Sequence, residues 1–245
     1  MDVEVAEGIH RLTLGIVNFY LVEDGGKLVL VDAGTPRDWD FLARTVAAMG
    51  RRLDDLEAVL LTHAHSDHTG FAERARAEAH ADVRVHGADA AVAKGAKQPK
   101  NDGSIVPYLL RLEAYRTLFS LTRRGARKIV PIAEVSTFSD GETLAVPGSP
   151  RVVHAPGHTP GAAALFFESR RTVMTGDSLV TRNPLTGRVG PQVAPAALNS
   201  DTERAIRSLD ALGGIPADTV LPGHGEPWTE GAAEAARLAK VAGRS

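Results

Sequence analysis

Cysteine is absent from this 245-residue chain. Disulfide bonds, a thiolate-bound metal and a cysteine nucleophile are therefore all excluded. Aromatic residues make up only 5% of the chain, and the two signs of charge nearly cancel to a formal net charge of -2. A nearly neutral chain gives no reason to expect nucleic acid or an anionic membrane as a partner.

Long apolar segments are lacking as well. No apolar run approaches the roughly 20 residues that a membrane-spanning helix requires. The acidic start of the chain, residues 1–5, does not resemble a secretory signal peptide, so we expect a cytoplasmic protein. With 43% hydrophobic residues the chain can bury a sizeable core, and one domain over residues 1–245 is expected.

The densest group of potential metal ligands is the run H-x-H-x-D-H at residues 63–68. It follows an apolar segment that is typical of a buried strand. Side chains two positions apart in an extended segment point the same way, so His63, His65 and Asp67 are expected to face one cavity. His68 adds a further imidazole beside them. Imidazole and carboxylate ligands without thiolate favour zinc, with iron and manganese as alternatives.

Three later side chains are expected to join this group. They are His158 in P-G-H-T-P-G, Asp177 in T-G-D and His224 in P-G-H-G. A glycine precedes each of them, and glycine lets the backbone turn sharply and approach a crowded site. Each also follows a short apolar run. We therefore expect four strand ends to deliver ligands to one edge of a layered sheet structure.

The hydrophobic pattern alternates between strand-like and helix-like segments. The predicted strands are 9–14, 17–23, 27–32, 58–62, 83–86, 152–154, 162–168, 172–175 and 219–221, and the predicted helices are 38–49, 68–80, 201–212 and 229–241. Residues 88–128 lack a strand pattern and predict a helical insertion, with apolar positions near the helical period in 104–124. Two β-then-α halves that both supply ligands predict an α/β fold with four αββα layers.

These motifs, together with L-V-D-A-G at residues 30–34, resemble those of the metallo-β-lactamase-fold hydrolase superfamily. The resemblance is greatest to its glyoxalase II-like and lactonase-like branch. The motifs occur in the family's order and span residues 30–225. The resemblance implies the same αββα architecture and a metal-dependent hydrolase that acts on a small-molecule substrate.

Seven ligand side chains are too many for one tetrahedral ion, so two divalent metal ions are expected. The first would take His63, His65 and His158, and the second Asp67, His68 and His224, with Asp177 bridging them. A hydroxide between the two ions would attack the carbonyl carbon of an ester, thioester or lactone. Asp67 is the expected catalytic residue, because it would orient the attacking water and accept its proton.

Asp32 ends the apolar strand in the L-V-D-A-G motif. It is predicted to orient a metal-bound histidine without touching the metal. The alternative is a turn-forming aspartate, which D-x-G sequences favour. The resemblance favours the orienting role.

The helical insertion is expected either to wall the substrate pocket or to pack on the sheet core. In the first case Tyr108, Tyr115 or Phe119 would line the pocket. Arg182 and Asn183, which follow the bridging aspartate, are candidates for contacts with a polar or anionic group of the substrate. A solvated turn is the alternative for these two. The sequence leaves the oligomeric state open.

Departures from the related patterns narrow the reaction. β-Lactamases of this superfamily usually lack a carboxylate at the position of Asp177. The lactonases often carry a tyrosine a few residues later, where this chain has S-L-V-T. Glyoxalase II enzymes carry a basic C-terminal helical region, whereas residues 225–245 of this chain contain only three basic residues. Other enzyme classes of the fold stay open. The first alternative is a mononuclear iron persulfide dioxygenase, and the lesser alternatives are a β-lactamase and a phosphoester hydrolase. A non-catalytic binding module would have lost ligands, and none is missing.

Overall fold

The computed structural model describes residues 3–127 and 129–244. The strands are β1 (Val3–Ala6), β2 (Ile9–Leu14), β3 (Val17–Asp24), β4 (Lys27–Val31), β5 (Leu56–Leu61), β6 (Asp82–His86), β7 (Ser136–Phe138), β8 (Arg151–His154), β9 (Ala163–Phe167), β10 (Thr172–Gly176), β11 (Val180–Arg182), β12 (Val189–Gln192) and β13 (Thr219–Pro222). The α-helices are α1 (Trp39–Ala48), α2 (Ala72–Ala79), α3 (Ala90–Ala93), α4 (Leu112–Arg123), α5 (Thr202–Gly213) and α6 (Ala232–Ala242).

The first half of the chain builds a seven-stranded sheet in the order β1-β2-β3-β4-β5-β6-β7. Its first four strands are antiparallel neighbours, and β4 to β7 run parallel. The tight turn between β3 and β4 uses Gly25 and Gly26, whose φ angles are 56° and 80°. Such positive φ values at both positions match the right-handed twist of a hairpin, as the Asp-Gly-Gly sequence indicates.

The second half builds a four-stranded sheet in the order β13-β10-β9-β8, and β11 and β12 form a separate hairpin. In the four-stranded sheet β10 and β13 are parallel, while β9 is antiparallel to both of its neighbours. The strands β8, β10 and β13 therefore all run in one direction and end at one edge of the sheet.

Three apolar clusters separate four layers. The first lies between the seven-stranded sheet and helices α1 and α2, the second between the two sheets, and the third between the four-stranded sheet and helices α5 and α6. Alternation along β3 divides its side chains, since Phe19 and Leu21 face the helices while Tyr20 and Val22 face the other sheet. This order of layers confirms the predicted αββα sandwich.

All nine predicted strands are present, with ends that differ from the prediction by at most two residues. The sequence pattern missed β1, β7, β11 and β12. These strands have only three or four residues each. So short a segment shows too little alternation for a period of two to be recognised. The equally short β8 and β13 were predicted because each is an apolar run that a ligand motif follows.

The helix predicted over 68–80 begins only at Ala72, because the backbone before it is held elsewhere. The amides of Gly70 and Phe71 donate to the carbonyls of Gly34 and Ala33. A Cβ at Gly70 would overlap the backbone of Gly34 and Thr35. The second half of the metal-ligand run thus packs directly on the L-V-D-A-G loop.

The predicted helical insertion is present in residues 88–127. In its described residues we find α3, α4 and a short 3₁₀ turn at Val106–Tyr108, and no strand. The helix predicted over 104–124 is shorter than expected, because Arg111 has an extended backbone that separates the 3₁₀ turn from α4. A fourth apolar cluster joins the insertion to the second half through Ala114, Leu185 and Ala197.

In the described part of the chain, no helix has both the length and the apolar character that crossing a membrane requires.

Candidate metal centre

The potential ligands lie where strands of both sheets end. His63 follows β5, Asp177 follows β10 and His224 follows β13. His158 lies in the loop after β8. Strands of like direction end at a common edge, so the carboxyl ends of the two sheets supply side chains to one place between them.

The structure brings all seven predicted ligands together. In each of three groups, one potential ligand atom per residue lies within 4.8 Å of the others: His63, His65 and His158; His63, His68 and Asp177; and Asp67, His68 and His224. The three groups share members, so they form one continuous centre and not three separate sites.

Asp177 lies in the middle of this centre. Its Oδ2 atom is 3.1 Å from His224 Nε2 and 3.5 Å from His158 Nε2. Its Oδ1 atom is 3.6 Å from His68 Nε2. One carboxylate therefore reaches histidines of both halves, which is the position that the sequence predicts for a bridging residue.

Three buried atoms of the centre have no hydrogen-bond partner: His63 Nε2, His68 Nε2 and Asp177 Oδ1. Buried polar atoms are normally paired, since an unpaired one costs free energy. These three belong to one of the groups within 4.8 Å, and divalent cations bound at this centre would satisfy them. Imidazole nitrogens and carboxylate oxygens are the ligands that zinc takes. The residues present fit a metal centre.

The outer nitrogens of four histidines are held by neighbouring groups. His63 Nδ1 is 3.0 Å from Thr62 Oγ1, His68 Nδ1 is 2.8 Å from Asp32 Oδ2, His158 Nδ1 is 2.9 Å from Asn199 Oδ1, and His224 Nδ1 is 2.7 Å from the Ile16 carbonyl. With Nδ1 held in this way, Nε2 of each ring faces the centre, and once deprotonated it can present its lone pair to a metal ion. The rings are thus oriented in advance for ligation.

Asp32 fixes two of these rings. This buried carboxylate accepts hydrogen bonds from His68 Nδ1 and from the amide of Thr62, each at 2.8 Å. The Thr62 hydroxyl donates to it as well and accepts from His63. Asp32 itself has a φ of 62°, in the left-handed region that aspartate tolerates better than most residues. Asp32 therefore lies behind the histidines, where the sequence prediction puts it.

Asp89 is a second organising carboxylate, and sequence reasoning missed it. It is almost fully buried and accepts from the Ala64 amide at 2.9 Å, the Thr159 hydroxyl at 2.7 Å and the Gly161 amide at 2.7 Å. Ala64 lies between two ligands, and Thr159 follows a third. Asp89 thus ties together two loops that are far apart in sequence. Its only sequence signal was an aspartate at a helix start, which is common.

Glycines permit the close approach that the motifs predict. A Cβ at Gly223 would overlap the carboxylate of Asp177, and one at Gly176 would overlap the side chain of Thr62. The residues that precede Asp177 and His224 therefore have no room for a side chain.

Burial dominates the electrostatics of one group of histidines. It lowers the pKa of His63 well below its usual value, and lowers that of His65 as well. For His158, burial and the neighbouring His65 lower the pKa to about 4. These imidazoles are neutral at pH 7, which is the state that a metal ion needs.

Neighbouring carboxylates have the larger net effect on the pKa values of His68 and His224. Burial alone would lower the pKa of His68, but Asp32 and Asp177 outweigh it and raise the pKa to about 10. The pKa of His224 is raised in the same way, since Asp177 outweighs burial. The pKa of Asp177 lies well below its usual value: burial opposes ionisation, but the facing histidines His224 and His68 favour it more strongly.

A cavity of about 190 Å³ opens onto the centre. Five of the seven ligands form its floor, namely His65, Asp67, His158, Asp177 and His224. The insertion contributes an apolar wall through Ile105, Leu118 and Leu121. Ile16 and Leu185 add apolar surface from other parts of the chain. Among the described residues that line the cavity, none is lysine or arginine.

The insertion does wall the pocket, but with other residues than the sequence suggests. Tyr115 and Phe119 are 63% and 55% exposed and do not line the cavity. Tyr108 packs against the cluster that joins the insertion to the second half. Both faces of α4 carry apolar residues, so its periodicity did not reveal which face turns inward. The face with Leu118 and Leu121 is the one that lines the pocket.

The two candidates after Asp177 also lie away from the cavity lining. Arg182 forms an ion pair with Glu113 at 2.6 Å, which joins the β11–β12 hairpin to α4. Asn183 is fully buried, and its side-chain oxygen accepts from the amides of Leu185 and Thr186. Asn183 therefore stabilises a buried turn and not the solvated turn of the alternative, and neither Arg182 nor Asn183 lines the cavity.

Comparison with known proteins agrees with this architecture. The model of the metallo-β-lactamase superfamily matches residues 12–224. The probable metallo-hydrolase YflN of Bacillus subtilis (strain 168) is 27% identical over 92% of this chain and 87% of its own length. The hydroxyacylglutathione hydrolase of Anaeromyxobacter dehalogenans (strain 2CP-C) is 33% identical over 91% of this chain and 70% of its own length.

Solved structures show the same fold. A metallo-β-lactamase family protein from Thermus thermophilus aligns with a TM-score of 0.70 and 25% identity, over 98% of this chain and 80% of that one. The Rm3 metallo-β-lactamase aligns with a TM-score of 0.72 over 98% of this chain and 91% of that one, at 17% identity. With the match of the family model over most of its length, this chain belongs to the metallo-β-lactamase superfamily.

Proposed function

We propose that this protein is a metal-dependent hydrolase that uses two divalent metal ions, zinc first, to cleave an ester, thioester or lactone. The observation that carries the proposal is the convergence of seven imidazole and carboxylate side chains on one centre, with three buried ligand atoms that have no hydrogen-bond partner. Seven ligands exceed what one tetrahedral ion takes.

The geometry supports a division of the ligands into two sets. One ion would be held by His63, His65 and His158, and the other by Asp67, His68 and His224, with Asp177 between them. When bound, such a pair of ions supplies a water of lowered pKa as nucleophile and a Lewis acid for the carbonyl oxygen.

Asp67 is proposed as the catalytic residue. Its Oδ2 atom lies 3.7 Å from His224 Nε2 and 3.9 Å from His68 Nε2, and its side chain lines the cavity. From there the carboxylate can orient the attacking water and hold the proton that the water loses. Asp32 keeps the His68 ring fixed while this happens, because its hydrogen bond holds Nδ1.

The lining of the cavity narrows the substrate class. An apolar wall and a volume of about 190 Å³ suit a short, uncharged acyl group or a small lactone ring. By its name, the relative from Anaeromyxobacter dehalogenans acts on a glutathione thioester, which supports cleavage of a thioester here. Glutathione carries carboxylates, and no cationic side chain is found among the described lining residues. We therefore favour a neutral small molecule as the partner of this site.

Elemental analysis joined to a substrate panel tests the proposal. We expect two zinc ions per chain, hydrolysis of short-chain esters, thioesters or lactones, and loss of activity with a chelator that added zinc reverses. His224→Ala should weaken binding of the second ion and leave the first ion in place, since it removes one of the three ligands that are assigned to the second ion alone. A phosphoester and a β-lactam complete the panel.

A single iron per chain, with oxygen-dependent turnover of a persulfide and no hydrolysis, would contradict the hydrolase and support the dioxygenase alternative. The cytoplasmic location and the organisation as one domain stay predictions of the sequence. Cell fractionation and limited proteolysis measure them.

A further inference from the structure

Large apolar side chains are exposed together on the insertion. They are Val106, Leu109, Leu110, Leu112, Tyr115, Leu118 and Phe119, and we call them the insertion surface. Their exposure ranges from 39% for Leu118 to 98% for Leu110. In the described chain, seven of the ten exposed large hydrophobic residues belong to this one stretch of 14 positions. Exposure of this kind is concentrated here and not scattered.

The exposed area is unusually large for a free monomer. At these exposures the seven side chains present roughly 700 Å² of apolar surface, more than the roughly 300–600 Å² of the largest patch on a typical monomer. It approaches the roughly 800 Å² that each partner buries in a standard protein interface. The rings of Tyr115 and Phe119 stack with their centroids 6.2 Å apart, so part of the surface is ordered without a partner.

We propose that the insertion surface is covered by a second copy of this chain, in a symmetric dimer. In a two-fold interface the same surface meets itself, so one apolar patch of sufficient area serves both partners. Leu118 belongs to the insertion surface and also lines the cavity. The second copy would therefore extend the pocket wall beyond Leu118 and limit access to the metal centre.

The excess of basic residues in the insertion predicts how salt affects this dimer. Residues 94–127 contain eight lysines and arginines but only two acids, although the whole chain has a formal net charge of -2. Both acids are already paired, Asp102 with Arg244 at 3.0 Å and Glu113 with Arg182 at 2.6 Å. Arg116 also lies 3.8 Å from Glu113. Arg111 and Arg116 are exposed and lie between the apolar residues in sequence, so the insertion surface has basic residues beside it.

Basic residues beside the two surfaces repel each other in a symmetric dimer, and salt screens that repulsion over about 8 Å at physiological ionic strength. Burial of apolar surface is not screened. Salt should therefore strengthen a dimer formed through this surface. An acidic protein or an anionic lipid bilayer would be attracted by the same arginines, and salt would weaken its binding. The sign of the salt effect distinguishes a second copy from these other occupants.

Sedimentation velocity from low to high micromolar protein, at low and at high salt, tests the proposal on the intact chain. We expect a species of twice 25.9 kDa whose dissociation constant falls as salt rises. Leu110→Lys should raise that constant by more than about tenfold, the effect of losing a central contact. The matched control is Val241→Lys on α6, where valine is 77% exposed outside the insertion surface. It should leave the dimer intact.

Both variants are expected to keep the wild-type melting temperature and metal content, since neither residue packs in a core. A monomer at every concentration and salt would overturn the proposal, and so would a dimer that Leu110→Lys does not weaken. Monomeric protein that sediments with phosphatidylglycerol vesicles at low salt only would assign the surface to an anionic membrane instead. Molecular mass is measured without turnover, so this result is independent of the proposed reaction.

Discussion

At the scale of single residues, two buried carboxylates outside the ligand set organise the metal centre. Asp32 holds the His68 ring and the start of the ligand run, and Asp89 holds the backbone of Ala64 and the loop around His158. A buried carboxylate is costly unless several donors satisfy it. Each of these two accepts at least three hydrogen bonds. Because these hydrogen bonds come from the loops that carry the candidate ligands, they hold those loops in place.

We expect Asp89→Asn to lower the affinity of the centre for metal by about 10–100-fold, the usual effect of losing a group that orients ligands. Three donors face this side chain, and an amide nitrogen in place of one oxygen leaves at least one of them unpaired. Titration against a competing chelator measures the affinity. Asp140→Asn is the matched control, because Asp140 accepts from the amide of His154 at the surface. Unchanged affinity with a lower melting temperature would restrict Asp89 to a structural role.

We expect Asp67→Asn to leave the fold intact and to lower turnover by on the order of 10²-fold or more, which is the usual contribution of general-base assistance. Steady-state rates should be compared at equal, independently measured metal content, since Asp67 is also a proposed ligand. Ser66→Ala removes a neighbouring side chain of the same cavity and should have a small effect. Near-normal turnover of metal-replete Asp67→Asn would remove this carboxylate from the mechanism.

At the scale of elements, α4 has two apolar faces with different roles. Ala114 is buried in the cluster that fixes the helix to the second half, and Leu118 and Leu121 line the pocket. Leu112, Tyr115 and Phe119 are exposed. A helix that only packed on a core would show one apolar face and one polar face. Because both faces are apolar, the sequence could suggest Tyr115 and Phe119 as pocket residues although they lie outside the cavity.

We expect Leu121→Ala to lower kcat/KM for the preferred apolar substrate by about 1–3 kcal/mol, the usual value of a small hydrophobic contact in a pocket. Metal content should not change, because the insertion supplies no ligand. The control is Thr122→Ala, which alters the exposed neighbour on the same helix. Equal kcat/KM for Leu121→Ala and wild type, over acyl chains of several lengths, would show that the wall does not contact the substrate.

At the scale of the whole molecule, the centre depends on contacts between the two halves. Tyr20 and Asn18 on β3 donate to the carbonyl of Pro222 at 2.7 and 3.0 Å, and Asn18 also donates to that of Gly225. These bonds hold the loop of His224 against the first sheet. Both residues are buried, and their hydrogen bonds join the two halves.

A stacked pair of histidines also joins the two sheets. The rings of His86, at the end of β6, and His154, at the end of β8, lie 4.0 Å apart and almost parallel. Burial and the neighbouring His154 lower the pKa of His86 below 6.5 in the folded protein, although Asp89 and Asp140 partly oppose this. The unfolded chain therefore binds a proton at His86 more readily than the native state does. The contribution of His86 to the free energy of unfolding should therefore decrease as pH falls from about 6.5 towards the pKa of His86 in the folded protein.

We expect His86→Phe to reduce this loss, because phenylalanine keeps the ring contact and cannot be protonated. Urea unfolding at about pH 7.5 and about pH 5.5, on either side of the ordinary histidine pKa, measures the difference. His10→Phe on β2 is the control. It also replaces a histidine by phenylalanine, but in the described structure His10 has no stacked partner ring. A pH dependence that is equally steep in His86→Phe and wild type would assign the acid sensitivity to other groups.

The sequence by itself was enough to identify the candidate ligands and to predict the layers. The run at 63–68 has four candidate ligands within six positions. Each later candidate directly follows a glycine and lies shortly after the end of a short strand, so local chemistry and spacing identify them. Strand alternation and helical periodicity likewise predicted the sandwich, because burial of apolar faces acts on every turn and every strand.

Only the tertiary structure decided which residues line the pocket and which carboxylates hold the loops. Asp89 reaches Thr159 and Gly161 across about 70 positions of sequence, and His158 meets Asn199 across 41. Such pairs carry no local period or spacing. The orientation of α4 was equally hidden, because both of its faces are apolar and only the packing of Ala114 shows which face turns inward.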